Sequence, residues 1–236
     1  MWIRCPSPHP QARLRLFCIP YAGGSAGIYQ HWTKLPLADV EICLIELPGR
    51  GTRLTEAAFT SLNGLIWSLG EAILPWLDKP FACFGHSLGG LIAFELARWL
   101  RQHQHPEPGH LWVSGARAPH VRSTDLPIHA LPKADFMAEL RRYNGTPAAI
   151  LENTELMDLL LPTLRADFTL LETYCYQEQA PLTCSITALS GEQDTIVSRE
   201  AMSPWQIHTN GPFVLKSVPG DHFFIHQLQV SHYLNF

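Results

Sequence analysis

Short apolar runs alternate with stretches of helical spacing along most of this chain. Leu14–Ile19 is the first run, stopped by Pro20, and a helical pattern through Tyr29, Trp32 and Leu35 follows. Val40–Leu47 is a second strand, closed by Pro48-Gly49-Arg50-Gly51. Leu62, Leu65, Ile66, Leu69, Ile73 and Leu77 recur at the spacing of an amphipathic helix, which Lys79-Pro80 ends. Phe81–Phe84 then reads as strand, Leu88, Leu91, Ile92, Leu96 and Trp99 share one helical face, and His110–Ser114 is another buried strand. Strands separated by helices in this way predict an α/β domain, its mostly parallel sheet flanked by helices. Residues 1–13 are polar, carry Pro6, Pro8 and Pro10, and read as a loose tail.

The alternation breaks at about Arg117. From there to about Gln179 no strand signal appears, and three helical patches can be read, at Ala134–Tyr143, near Pro147–Glu152 and from Thr154 onward. The last patch carries Leu156, Leu159, Leu160, Leu164, Phe168 and Leu171, with Pro162 expected to kink it. Strands resume at Cys184–Ser190 and Phe213–Val218. An all-helical insert between strands of a parallel sheet reads as a cap over their carboxyl ends, where such sheets bind ligands. The expected organisation is one domain over 1–236 with a helical lid insertion at 117–179. A charge placed on the lid, at Met157 or Leu160, is expected to disturb activity more than stability.

Composition narrows the function. With 46% hydrophobic and 16% charged residues the 236-residue chain is globular, and a net charge of −4 without a Lys/Arg run argues against nucleic acid. There is no 18-residue apolar span for a membrane helix, and the first residues lack the apolar core of a secretory signal. Six cysteines show no CxxC and three lie inside apolar strand runs, which points to reduced thiols in a cytoplasmic protein. The 12 histidines form neither HExxH nor a Cys/His pattern with metal spacing; His103, His105 and His110 cluster in a polar loop.

The chemistry gathers around Gly85-x-Ser87-x-Gly89, which follows a strand and opens a helix. That context is a nucleophile elbow: the serine sits on a strained turn, and side chains two positions either side would collide. Ser87 is therefore the candidate nucleophile, lifted to the top of the sheet where the helix dipole favours an anionic intermediate. Its hydroxyl needs a base, and the base a partner to hold it. In the order that α/β hydrolases follow, an acid comes next and a histidine last, each in a loop after a strand. Gly191-Glu192-Gln193-Asp194 follows Cys184–Ser190, and Pro219-Gly220-Asp221-His222 follows Phe213–Val218. Ser87, Asp194 and His222 are the expected triad. Glu192, still in the turn, is the competing acid; Asp221 suits loop capping, His226 lies farther from the loop, and His86 reads as a packed neighbour. The oxyanion needs two backbone donors. Leu88 supplies one, and the turn Tyr21-Ala22-Gly23-Gly24 the other, through Ala22 or alternatively Tyr21.

Five stretches carry a resemblance: Pro20-Tyr21-Ala22-Gly23-Gly24-Ser25-Ala26, Leu47-Pro48-Gly49-Arg50-Gly51, Gly85-His86-Ser87-Leu88-Gly89-Gly90, Leu161-Pro162-x-x-Arg165-Ala166-Asp167-Phe168 and Gly220-Asp221-His222-Phe223-Phe224. In register from about Leu14 to near the C-terminus, they resemble the type II thioesterases that accompany nonribosomal peptide and polyketide synthetases. The resemblance implies an α/β-hydrolase fold with a mobile helical lid. It implies hydrolysis of stalled or wrongly loaded acyl and aminoacyl thioesters from the phosphopantetheine arm of carrier domains. By position the triad again falls on Ser87, Asp194 and His222; Gln193 departs from the small or acidic residue the family often has there. No metal or organic cofactor is expected, since the phosphopantetheine belongs to the partner, and the protein is expected to act as a monomer. A generic carboxylesterase, a product-releasing thioesterase and an idle carrier-binding protein are the rival readings.

Overall fold

Side chains in a strand point alternately to the two faces of the sheet, so a strand covered on both sides must be apolar at nearly every position. The inner runs Phe81–Phe84 and Leu111–Val113 meet that demand, whereas Phe213–Val218, with Lys216 and Ser217, is only partly covered. In the computed structural model, which describes residues 1–35, 37, 39–143 and 145–234, the strand runs assemble into a seven-stranded sheet. The elements in chain order are β1 (Ile3–Arg4), β2 (Leu14–Ile19), a 3-10 helix (Ala26–Lys34), β3 (Val40–Ile45), α1 (Leu62–Ile73), β4 (Phe81–His86) and α2 (Leu88–Gln102). Then come β5 (His110–Ser114), α3 (Lys133–Tyr143), α4 (Ala148–Leu151), α5 (Thr154–Glu172), β6 (Ser185–Gly191), α6 (Arg199–Met202), β7 (Phe213–Val218) and α7 (Val230–Tyr233). Strand order is β1-β3-β2-β4-β5-β6-β7, and every pairing is parallel except β1 with β3.

The sheet divides the core by strand alternation. Phe17, Ile19, Cys43 and Ile45 pack on one face with α1 and α2, while Leu16, Cys18, Ile42 and Leu44 pack on the other with Tyr29, Trp32 and the C-terminal segment. The helices of the insert bury a third cluster of their own around Phe136, Leu140, Met157 and Phe168. Among the described residues no helix is long and apolar enough to cross a membrane.

Several expectations change. The first residues are not a loose tail: Ile3 pairs with Ile45 and Arg4 with Leu44, and Ile3 is 1% exposed. The helix after the first strand is a 3-10 helix, capped by Ser25, whose side chain accepts from the Gly27 amide. The run expected at Val40–Leu47 ends as strand at Ile45, in β3, and the run expected at Cys184–Ser190 is shifted one residue, to Ser185–Gly191, in β6. Helix α5 runs on through Pro162 as one element. Met157 is 1% exposed, so it belongs to the core of the insert and a charge there would act on folding.

Buried histidines give the fold an acid limit. His208 is 3% exposed, packs its ring against Phe94, Trp205 and Tyr176, and lies 2.7 Å from His120 Nδ1. Burial, then the nearby His120 and Arg98, push its pKa from 6.5 down to about 4. The neutral ring is the one the fold accepts, so its stabilisation is complete above about pH 6.5 and is lost as pH falls toward 4. His110, also pushed down to about 4 by burial, adds to the same trend. Thermal melts at about pH 7 and about pH 5 should show a drop in Tm that is smaller in His208→Gln than in the parent. An equal drop in both would assign the acid sensitivity elsewhere.

Candidate active site

The elbow is built by contacts that exclude side chains. A Cβ on Gly85 would lie 2.0 Å from the Gly89 carbonyl oxygen, and one on Gly89 would lie 2.2 Å from that of Ile19. Between them Ser87 takes φ 52° and ψ −117°, a conformation that a side-chain-bearing residue rarely adopts. Its amide donates to the Ser114 carbonyl at 2.7 Å, which ties the turn to β5. Ser87 thus stands at the start of α2, at the carboxyl end of β4.

Because β4, β5, β6 and β7 are parallel neighbours, the loops after β6 and β7 emerge at that same end of the sheet. They carry Asp194 and His222. His222 Nδ1 lies 2.8 Å from Asp194 Oδ2, and both side chains are almost wholly buried. The other carboxylate oxygen of Asp194 accepts from the amides of Ile196 and Val197, each at 2.8 Å. With the carboxylate acting as acceptor, Nδ1 of His222 carries the proton and Nε2 has a free lone pair. Ser87 and His222 line one cavity of about 790 Å³, with Tyr21 and Ala22 on the sheet side and Leu140 and Phe168 from the insert.

The other residues singled out in the sequence fall elsewhere. Glu192 is exposed, its amide bonded to the Val218 carbonyl at 2.8 Å. Asp221 accepts from the Phe223 amide at 2.9 Å, within its own loop. His226 bonds the Tyr21 hydroxyl at 3.0 Å. His86 is fully buried beneath His222, with ring centroids 5.2 Å apart, and its Nδ1 is 2.9 Å from the Ser114 hydroxyl. Burial, and secondarily the charge of a protonated His222, hold the His86 pKa well below the ordinary histidine value. A neutral His86 places no positive charge under the imidazolium that His222 would form.

Of the two residues expected to supply oxyanion donors, Ala22 lines the cavity and Leu88, fully buried, follows Ser87 at the start of α2. Leu88 and Ala22 amides donate to no protein acceptor among the described residues. Their neighbours are engaged: Gly24 donates to the Tyr21 carbonyl at 2.9 Å, and Gly23 to Asp167 Oδ2 at 2.7 Å. The latter bond joins the turn after β2 to helix α5. Sequence reasoning assigned no role to Asp167 or to its partner Arg50, although both stood in motifs. Gln193, noted only as a departure from the family pattern, has a structural part: its side-chain oxygen accepts from the Gly220 amide at 2.7 Å while its own amide donates to the Gly220 carbonyl at 2.9 Å. That residue fastens the acid loop to the histidine loop.

Among the described residues, Cys5, Glu41 and Cys43 cluster closely enough to contact one ion. The Glu41 carboxylate is already held by Arg15 at 2.6 Å and by the His9 amide at 2.9 Å. A guanidinium so close opposes a cation, so this cluster is an ion pair beside two thiols.

The chain matches the family described as Thioesterase domain over residues 14–235 and belongs to it; the protein is a thioesterase, a hydrolase acting on thioester bonds. Linear gramicidin dehydrogenase LgrE of Brevibacillus parabrevis is 45% identical to it over 231 residues, covering 97% of this chain and 88% of that protein. Gramicidin S biosynthesis protein GrsT of Aneurinibacillus migulanus is 42% identical over 226 residues, with 96% and 88% covered. Among solved structures, the type II thioesterase BorB from the borrelidin biosynthetic cluster superposes with a TM-score of 0.86 at 34% identity, over 96% of this chain and 92% of BorB. The sheet and its flanking helices are the α/β-hydrolase fold, and the likeness to the type II thioesterase BorB covers 96% of this chain.

Proposed function

We propose that the protein hydrolyses acyl and aminoacyl thioesters from the phosphopantetheine arm of carrier domains, as a type II thioesterase of nonribosomal peptide or polyketide synthesis. The observation that carries this reading is the Asp194–His222 hydrogen bond at the wall of the cavity that Ser87 also lines. His222 Nε2 takes the Ser87 proton as Oγ attacks the thioester carbonyl, and the Ala22 and Leu88 amides hold the oxyanion. The tetrahedral adduct collapses, the C–S bond breaks, and His222 returns the proton to the departing pantetheine thiol. Water, deprotonated by His222, then cleaves the acyl-enzyme and frees Ser87. Asp194 keeps the imidazole oriented and stabilises its charged form. The segment 117–179 serves as the lid over this cavity. Six free cysteines, four of them buried, support a reducing, cytoplasmic setting.

GrsT is named for gramicidin S biosynthesis and BorB is a type II thioesterase from the borrelidin biosynthetic cluster, which supports the carrier-domain substrate. The word dehydrogenase in the name of LgrE is not carried over. The first strand-to-helix turn here, Tyr21-Ala22-Gly23-Gly24-Ser25-Ala26, lacks the Gly-x-Gly-x-x-Gly spacing of a dinucleotide-binding turn.

Carrier recognition has a direct test. Remote contacts that position a thioester are felt in kcat/KM, and each 1.4 kcal/mol of them is worth about tenfold. Acetyl on a phosphopantetheinylated carrier domain should be hydrolysed at least about tenfold more efficiently than acetyl on a small pantetheine mimic. Equal efficiency on the two, with p-nitrophenyl acetate the fastest substrate, would identify a generic serine carboxylesterase instead.

A further inference from the structure

Two of the motifs have no part in the chemistry above, yet they meet at the site. Arg50, from Pro48-Gly49-Arg50-Gly51, and Asp167, from α5, are both buried and face each other across 117 positions of sequence. Arg50 Nη1 donates to Asp167 Oδ2 at 2.5 Å and Nη2 to Oδ1 at 2.7 Å, a two-pronged pair. The remaining guanidinium bonds go to the Pro48 carbonyl at 3.2 Å and the Gly24 carbonyl at 3.4 Å. Asp167 Oδ2 also accepts from the Gly23 amide at 2.7 Å. The pair therefore grips the turn after β2 at both Gly23 and Gly24.

We infer that Asp167, held by Arg50, is the positioning residue of the oxyanion hole. The inference rests on the reading in which Ala22 donates to the oxyanion. The Tyr21 carbonyl and the Ala22 N–H belong to one peptide unit and, in a trans peptide, point in opposite directions; the chain has no cis bond among its described residues. Gly24 N–H pins that carbonyl at 2.9 Å, which aims the Ala22 N–H the other way. Asp167 fixes the next peptide plane through Gly23 N–H, and the turn between the two bonds is left no rotation. A donor preset in this way stabilises the oxyanion without reorganising when charge develops. Arg50 has a second part. A bare carboxylate one residue from that donor would oppose the developing negative charge, and the paired guanidinium neutralises it.

Helix α5 is fastened on both sides of this grip. Thr163 Oγ1 donates to the Gly49 carbonyl at 2.7 Å. Leu164 presses on Gly23, whose φ is +77° and where an added Cβ would lie 2.5 Å from Leu164 Cδ2. The middle of α5 is thus scaffold for the oxyanion turn.

Asp167→Asn keeps the shape and breaks the two-pronged pair. With an acyl thioester as substrate, kcat should fall at least about tenfold with KM within about threefold. Affinity for an acyl trifluoromethyl ketone, whose adduct with Ser87 bears the oxyanion, should weaken by the same factor as kcat/KM. Hydrogen exchange should quicken in the segment 21–24 while β4 and α2 keep the parental rates. Should Asp167→Asn melt below the assay temperature, Gly23→Ala carries the same prediction, because it dislodges the turn and leaves the buried ion pair in place. A loss confined to KM, or a fall in kcat with unchanged ketone affinity, would overturn the inference. Parental kcat in both variants beside an inactive Ser87→Ala would remove this inference alone; an active Ser87→Ala would remove the proposed function with it.

Discussion

Ser87→Ala should lower thioester hydrolysis by several orders of magnitude and leave the fold intact. The backbone at Ser87, φ 52° and ψ −117°, costs alanine about what it costs serine, because both carry a Cβ. The Ser87 amide bond to Ser114 and the close approach of Gly85 to Gly89 involve no hydroxyl. What disappears is the atom that attacks, and the activity left is what an oxyanion hole and substrate binding supply without a nucleophile. Covalent labelling by a fluorophosphonate should vanish in the same variant. Steady-state hydrolysis of an acyl thioester, beside a thermal melt, makes the measurement. Activity within tenfold of the parent would move the nucleophile elsewhere.

The second large effect separates two acids that stand two residues apart. Asp194→Asn should cost roughly 10²–10⁴ in kcat by analogy with serine-protease triads. The asparagine oxygen can still accept from the Ile196 and Val197 amides, so the loop keeps its shape. Its amide NH₂ then faces His222 Nδ1 and favours the tautomer with the proton on Nε2, where it is useless for accepting the Ser87 proton. Glu192→Gln should cost less than about tenfold, since Glu192 is exposed and its neighbours are held through its backbone. Comparing kcat for the two variants on one thioester decides the matter, and the reverse ranking would give the role to Glu192.

Most of the frame was legible in the chain because it is written locally. His110–Ser114 and Phe213–Val218 have the same ends in the sequence pattern and in the sheet. The elbow is a five-residue spacing whose steric reason needs no distant partner, and the acid and histidine loops are marked by the strands they follow. Parallel strands put those loops at one end of the sheet, so the meeting of Ser87 and His222 at one cavity, with Asp194 hydrogen-bonded behind His222, follows from their order in the chain.

Other features were decided by tertiary contact. Strand β1 is two residues long and followed closely by Pro6, and nothing in its own propensity marks it; it exists because β3 offers an edge. Met157 and Leu159 lie two positions apart on α5, one buried in the insert and the other 51% exposed, because an insert that builds its own core sets which way each turn faces. Most of all, the Arg50–Asp167 pair and its hold on Gly23 join three segments far apart in sequence. Periodicity reports the face a residue presents to its own sheet or helix. It carries no term for which buried charge will meet which, and here that meeting is set by the docking of α5 on the turn after β2.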